Sequence, residues 1–147
     1  YTSKKFKKII SKKFKIKSNN IKQEIKKRLI NKKISLKELG KIIHPTVRKE
    51  MIAFSKKKQN KNIIIFEIPL LIESKLMKFF DAVILVIAPK KLRIKRYLKN
   101  GGDRSMFNLL DKNQIPQRKK LNYCDYLIVN NSSKKVLKKR ITDIIKD

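Results

Sequence analysis

Apolar residues recur at helical spacing through the first 58 positions: Phe6, Ile9, Ile10 and Phe14, then Ile21, Ile25 and Leu29, then Leu36, Leu39, Ile42 and Ile43. Lysines fill the faces between them, so the pattern predicts a run of amphipathic helices. Asn19-Asn20 and Asn31 are predicted breaks, and Ser35 is the predicted N-cap of the third helix. His44-Pro45 reads as the opening of a fourth helix, because the missing N–H of proline would be unpaired at the first helical position anyway. Val47, Met51 and Phe54 supply its apolar stripe, and Lys56–Asn62 is a polar linker.

The period then changes. Ile63-Ile64-Ile65-Phe66 is continuous rather than alternating, which predicts a strand covered on both faces that ends near Pro69. Ala82–Ile87 is a second such strand, and Pro89 starts a helix reaching about Asn100. Gly101-Gly102 is the predicted hinge. Residues 103–122 read as a polar, weakly amphipathic helical insert. Tyr126–Val129 is a third strand, which Asp125 leads into. Ser132 or Ser133 caps a last helix with Val136, Leu137, Ile141, Ile144 and Ile145 inward. Strands alternating with helices imply an α/β fold with a parallel sheet. Ligands of such sheets bind beyond the carboxyl ends of the strands, and Glu67 and Glu73 flank the end of the first one.

Net charge is +30, which at first suggests a nucleic-acid binder. Of the 41 basic residues, however, only 7 are Arg. Lys, Ile and Asn share A/T-rich codons, so compositional drift accounts for the excess. Arg is the residue that reads guanine and phosphate bidentately. Phe6, Phe14, Phe54 and Phe66 fall on apolar stripes or strands and read as core, not as stacking platforms. No specific nucleic-acid partner is expected. Cys124 is the single cysteine, so no intrachain disulfide forms and no zinc spacing exists. No apolar run has the length of a membrane span, and a cytoplasmic location is expected.

Four features in order carry a family resemblance: His44-Pro45; Pro69-Leu70-Leu71-Ile72-Glu73; Pro89 with Arg93 and Arg96; and Asp125-Tyr126-Leu127-Ile128-Val129-Asn130-Asn131. Gln114-Ile115-Pro116 and Lys120 lie between the last two. From His44 to the C-terminal helix, this ordered set resembles dephospho-CoA kinase, a P-loop kinase family. The resemblance implies a helical acceptor region at residues 1–58, a parallel α/β core at 59–100 and 123–147, and a lid at 101–122. It implies transfer of the ATP γ-phosphate to the 3′-hydroxyl of dephospho-CoA, with Mg²⁺, as the last step of coenzyme A synthesis.

On the acceptor side the resemblance points to His44, Pro69, Leu70 and Glu73. On the nucleotide side it points to Arg96, Gln114 and Asn130. Arg104 and Lys120 become lid cations that meet phosphate charge, and Glu67 a holder of Mg²⁺-bound water. Each has a structural alternative: a packed His44, a Glu67 paired with a lysine, a helix-capping Glu73, solvated lid cations, a turn-forming Asn130. Arg93, where the family often has Gln, is expected at the surface.

One departure matters. The family opens with a Gly-rich phosphate loop, whereas the glycines here are Gly40, Gly101 and Gly102, and no G-x-x-x-x-G-K-[ST] can be built from them. With the chain beginning at Tyr1, the expectation is a C-terminal portion of the enzyme that is inactive by itself. A basic nucleic-acid-binding protein and another P-loop nucleotide kinase remain the alternatives, and the sequence assigns no oligomeric state.

Overall fold

The computed structural model describes residues 4–146, with the side chains of residues 4–6 outside the description. The expected core role of Phe6 therefore lies outside the described residues. The chain divides into two compact units, one running to Glu67 and the other starting at Ile68.

The first unit is helical: α1 (Lys4–Phe14), α2 (Ile21–Ile30) and α3 (Leu36–Lys57). Buried Ile10, Ile16 and Ile43 form its core, with Phe14, Ile21, Ile25, Leu39 and Val47 packed on them. Asn20 caps α2, its side chain accepting from the Gln23 N–H at 3.1 Å. Ser35 caps α3 in a full capping box, with its hydroxyl accepting from the Glu38 N–H and the Glu38 carboxylate accepting from the Ser35 N–H. Arg28 bonds Glu24 at 2.6 Å and donates to the Phe14 carbonyl at 2.7 Å, tying α2 to the end of α1.

The predicted fourth helix does not exist as a separate element. α3 continues through Pro45 to Lys57. Leu36, Leu39, Ile43, Val47 and Met51 stay in helical phase on both sides of the proline, so one continuous helix buries one continuous stripe. Pro45 is exposed and deprives the Lys41 carbonyl of its N–H partner, a cost that water offsets at the surface. Phe54, expected in the core, is 47 % exposed and meets Phe66 edge-on at 5.7 Å.

The strand expected at 63–68 is also absent. The segment carries no ladder, and Ile63 and Ile65 are 54 % and 64 % exposed. Its β-branched residues have strand propensity, but a strand is stabilised by cross-strand pairs, and β1 and β2 pair only with each other among the described residues.

In the second unit, residues 69–75 form a turn. β1 (Ile84–Ile87), α4 (Lys90–Lys99), α5 (Arg104–Lys112), α6 (Gln117–Lys120), β2 (Tyr126–Val129) and α7 (Lys134–Lys146) follow in order. The strands are parallel, with Ile84 opposite Tyr126 and Ile87 opposite Val129, so the expected small parallel sheet is present. Asp125 leads into β2 as expected: its carboxylate accepts from the Val83 N–H at 2.7 Å. Ile128 and Leu76 are almost fully buried, and burial of each contributes roughly 1.5–3 kcal/mol.

The 103–122 insert is helical as expected, built as two helices and a 3₁₀ turn (Leu121–Tyr123), with Pro116 restarting the chain after Ile115. α5 has a well-defined apolar face with Phe107 buried and meeting Tyr97 edge-on at 5.7 Å. Ser133 caps α7, accepting from the Val136 N–H at 3.4 Å. Leu137, Ile141 and Ile144 are half-buried, whereas Val136 and Ile145, expected inward, are exposed. A stripe at i, i+4 and i+7 is as wide as this helix can cover.

Four segments close with the same pair of backbone bonds. Ile16 N–H donates to Ser11, Lys33 to Arg28, Leu76 to Leu71 and Gly102 to Tyr97, each five residues back, while the residue before each donates three back. This is the Schellman closure, whose turning residue takes a left-handed conformation. Gly101 takes it in one case (φ 77°), but lysines take it in the other three: Lys15 (50°), Lys32 (55°) and Lys75 (55°).

Candidate nucleotide and acceptor site

The Pro69–Lys75 turn is held by its Schellman closure and by Ser74, whose hydroxyl donates to the Leu70 carbonyl at 2.6 Å. Its product is the placement of Glu73. Glu73 Oε1 accepts from the Ile115 N–H at 3.0 Å and lies 2.8 Å from Lys120 Nζ. Lys120 Nζ also approaches Gln114 Oε1 at 3.5 Å. Lys120 is only 7 % exposed and is the buried charged residue among the described residues. Glu73 Oε2 is buried with no hydrogen-bond partner. Burial pushes the Glu73 carboxyl up, but the Lys120 ammonium and the backbone N–H groups of Glu73 and Ile115 together hold it below the usual carboxylate range. Three of the residues singled out from sequence, Glu73, Gln114 and Lys120, are thus brought together.

A second cluster surrounds the carboxyl ends of β1 and β2. Arg96 Nη1 donates to the Asn130 carbonyl at 2.9 Å, so these two nucleotide-side candidates also meet. The Asn130 N–H donates to the Ile87 carbonyl at 2.7 Å, and Arg140 donates to the Val129 carbonyl. Arg93 Nε and Gln117 Nε2 both reach the Ala88 carbonyl, at 3.3 and 3.4 Å.

Arg93 is not the surface residue expected. Its guanidinium bonds Asp111 at 2.7 Å and lies over the Phe107 ring at 5.7 Å. Lys90 joins the same carboxylate at 2.8 Å. Hydrogen bonds from Lys90 and Arg93 lower the Asp111 carboxyl below its ordinary value. Asp111, Gln117 and Arg140 were missed by sequence reasoning. An acid 18 residues from its arginine carries no local spacing signal, and only the return of α5 onto α4 pairs them.

Other candidates stand apart. Arg104 is exposed at the start of α5, with no partner among the described residues. Pro69 is exposed and Leu70 half-buried in the turn. In the other unit, Glu67 is exposed and His44 packs along α3 onto Gly40, whose position would bring a Cβ to 3.2 Å from the imidazole. Among the described residues no three His, Cys, Asp or Glu side chains gather as a metal site. No helix of the described residues is long and apolar enough to cross a membrane.

Two parallel strands joined through helices, with polar side chains collected beyond their carboxyl ends, define an α/β protein. The dephospho-CoA kinase family matches residues 5–135 of the chain. The chain belongs to that family. It is 29 % identical over 126 residues to the dephospho-CoA kinase of Rickettsia prowazekii, covering 85 % of this chain and 66 % of that protein. It is 31 % identical over 127 residues to that of Fusobacterium nucleatum, covering 85 % and 65 %. With the Aquifex aeolicus enzyme the identity is 33 % over 98 residues, covering 67 % and 50 %. The chain therefore spans just under two thirds of the length of the first two relatives.

Proposed function

We propose that the protein to which this chain belongs is a dephospho-CoA kinase, moving the γ-phosphate of ATP to the 3′-hydroxyl of dephospho-CoA. The observation that carries the reading is the Glu73–Gln114–Lys120 cluster: residues of two separate motifs, more than 40 positions apart, converge within hydrogen-bond reach. Family membership supports the same reading.

Within it, residues 1–58 are the acceptor region, and His44, Pro69, Leu70 and Glu73 are acceptor-side residues. Arg96 and Asn130 form the adenine side. Residues 101–122 act as the lid, with the exposed Arg104 as a cation that meets phosphate charge. Gln114 and Lys120 serve that lid by holding it to Glu73, since a buried, paired ammonium is poorly placed to swing onto phosphate. Phosphoryl transfer rests on positioning and charge neutralisation. The Gly-rich loop that cradles phosphates is absent from these 147 residues, so the chain by itself binds rather than turns over. Mg²⁺ would neutralise charge on the nucleotide phosphates. It asks little of the protein beyond one carboxylate, because phosphate and water oxygens supply the rest. Glu67 is the carboxylate proposed for that role.

Titration calorimetry of the purified chain with dephospho-CoA, at near-physiological salt, tests the reading. Saturable binding of dephospho-CoA, with RNA bound weakly and lost as salt rises, is the expected result. RNA binding that survives that salt while dephospho-CoA does not bind would refute it. Joining the chain to the phosphate-loop segment of the Rickettsia prowazekii enzyme should then restore CoA formation from ATP and dephospho-CoA.

A further inference from the structure

Three backbone carbonyls at the carboxyl end of the strand pair are engaged by helix side chains. Ala88 is held by Arg93 and Gln117, Val129 by Arg140, and Asn130 by Arg96. Asn130 is the point of greatest convergence. Its N–H is fixed to β1 through Ile87, its carbonyl to α4 through Arg96, and the carbonyl just before it to α7 through Arg140. Its carboxamide makes no hydrogen bond among the described residues and is half-exposed. A side chain whose backbone is restrained from three elements, and whose own donor and acceptor are unused, is pre-organised to read an edge that offers an acceptor beside a donor.

We propose that Arg96 and Arg140 are positioning residues for base recognition, which hold the two peptides flanking Asn130 so that its carboxamide reads an adenine edge. This rests on the assignment of Asn130 to the adenine side given above. A carboxamide pairs bidentately with adenine, whose amino donor and ring-nitrogen acceptor are adjacent, and guanine presents two acceptors there instead. The guanidinium suits the holding task because its charge is permanent and its donors are rigidly placed. Arg96 spends a donor on backbone in this arrangement, so its contribution falls on the base rather than on phosphate. Arg140 has no counterpart among the motif residues and acts from α7 on the peptide that precedes Asn130.

The test compares the whole chain with Arg96→Met, Arg140→Met and Arg140→Lys. Two quantities are read: amide hydrogen exchange at Asn130, and the ratio of AMP to GMP affinity. Both Met variants should speed exchange at Asn130 and lower the adenine preference by about tenfold, the worth of one bidentate pair. Arg140→Lys should recover part of both. Asn130→Asp should abolish the preference while leaving exchange at residue 130 slow, separating reading from holding. Unchanged preference in both Met variants would overturn the proposal, as would a wild-type chain that does not distinguish the two bases. Dephospho-CoA binding, measured separately, tells whether that failure extends to the kinase reading. Thermal melts accompany each variant, because general loosening would speed exchange throughout β1 and β2 rather than at Asn130.

Discussion

Lys120 Nζ sits 2.8 Å from Glu73 Oε1, and this pair joins the Pro69–Lys75 turn to the end of the 103–122 insert. The same carboxylate oxygen takes the Ile115 N–H at 3.0 Å. One side chain therefore organises both α6 and the loop before it. Glu73 lies 47 residues upstream of Lys120, so the contact closes a long loop and is a tertiary feature, not a local one.

Removing the ammonium leaves a half-satisfied carboxylate in a mostly buried place. Lys120→Met should cost roughly 2–3 kcal/mol, somewhat below the usual loss for breaking a buried pair, because Glu73 keeps the Ile115 N–H and stays partly in contact with water. The double variant Glu73→Gln, Lys120→Met should cost less than the sum of the two single ones. Urea denaturation measures all three.

The pair also sets a pH dependence. The Glu73 carboxyl titrates lower in the folded chain than in the unfolded one. Its contribution is therefore fully present above the unfolded value of about 4.3 and is lost as pH falls through the lower folded value. Wild type should lose stability through that acidic window, and Glu73→Gln should show a flatter profile there. Identical slopes for the two proteins would show that Glu73 is not held below its ordinary value.

Three lysines occupy backbone conformations that suit glycine. Lys15, Lys32 and Lys75 each turn the chain out of a Schellman closure at positive φ. An L side chain pays about 1–2 kcal/mol there, and glycine gives back roughly 0.5–1 kcal/mol in unfolded-state entropy. Each Lys→Gly variant should thus gain about 0.5–1 kcal/mol. A lower melting temperature for Lys75→Gly would contradict the argument.

Gly102 should tolerate nothing larger. A Cβ there would stand 2.2 Å from Cε1 of Tyr97, whose ring is packed edge-on against Phe107. Gly102→Ala must push that pair out of place and should cost about 1–3 kcal/mol. Near-ultraviolet circular dichroism should report the displaced tyrosine. At Gly101 nothing lies within 4 Å of an added Cβ, so the cost there comes only from its positive φ.

Elements whose information is local were legible in the sequence. Ser35 capped the third helix and Ser133, one of the two serines expected, the last, because a cap needs only the next three residues; Asn20, expected only as a break, also caps the second. The strands at 84–87 and 126–129 followed from their continuous apolar runs. Two expectations failed for different reasons. Pro45 looked like a helix start, but the apolar phase running through it outweighed one missing hydrogen bond. Ile63–Ile68 looked like a buried strand, but no neighbouring strand among the described residues pairs with it, and propensity alone makes no sheet.

The sequence by itself determined the caps, the amphipathic stripes, the two pairing strands and the ordered motifs that mark the family. These depend on residues a few positions apart, whose interactions the chain carries with it. Only the tertiary structure decided that Lys120 is a buried partner of Glu73 and that Arg93 is spent on Asp111. It alone placed Arg96 and Arg140 on the two peptides that flank Asn130. A charge on a lysine-rich chain looks like any other until folding selects which few lose water, and that selection depends on groups brought from tens of residues away.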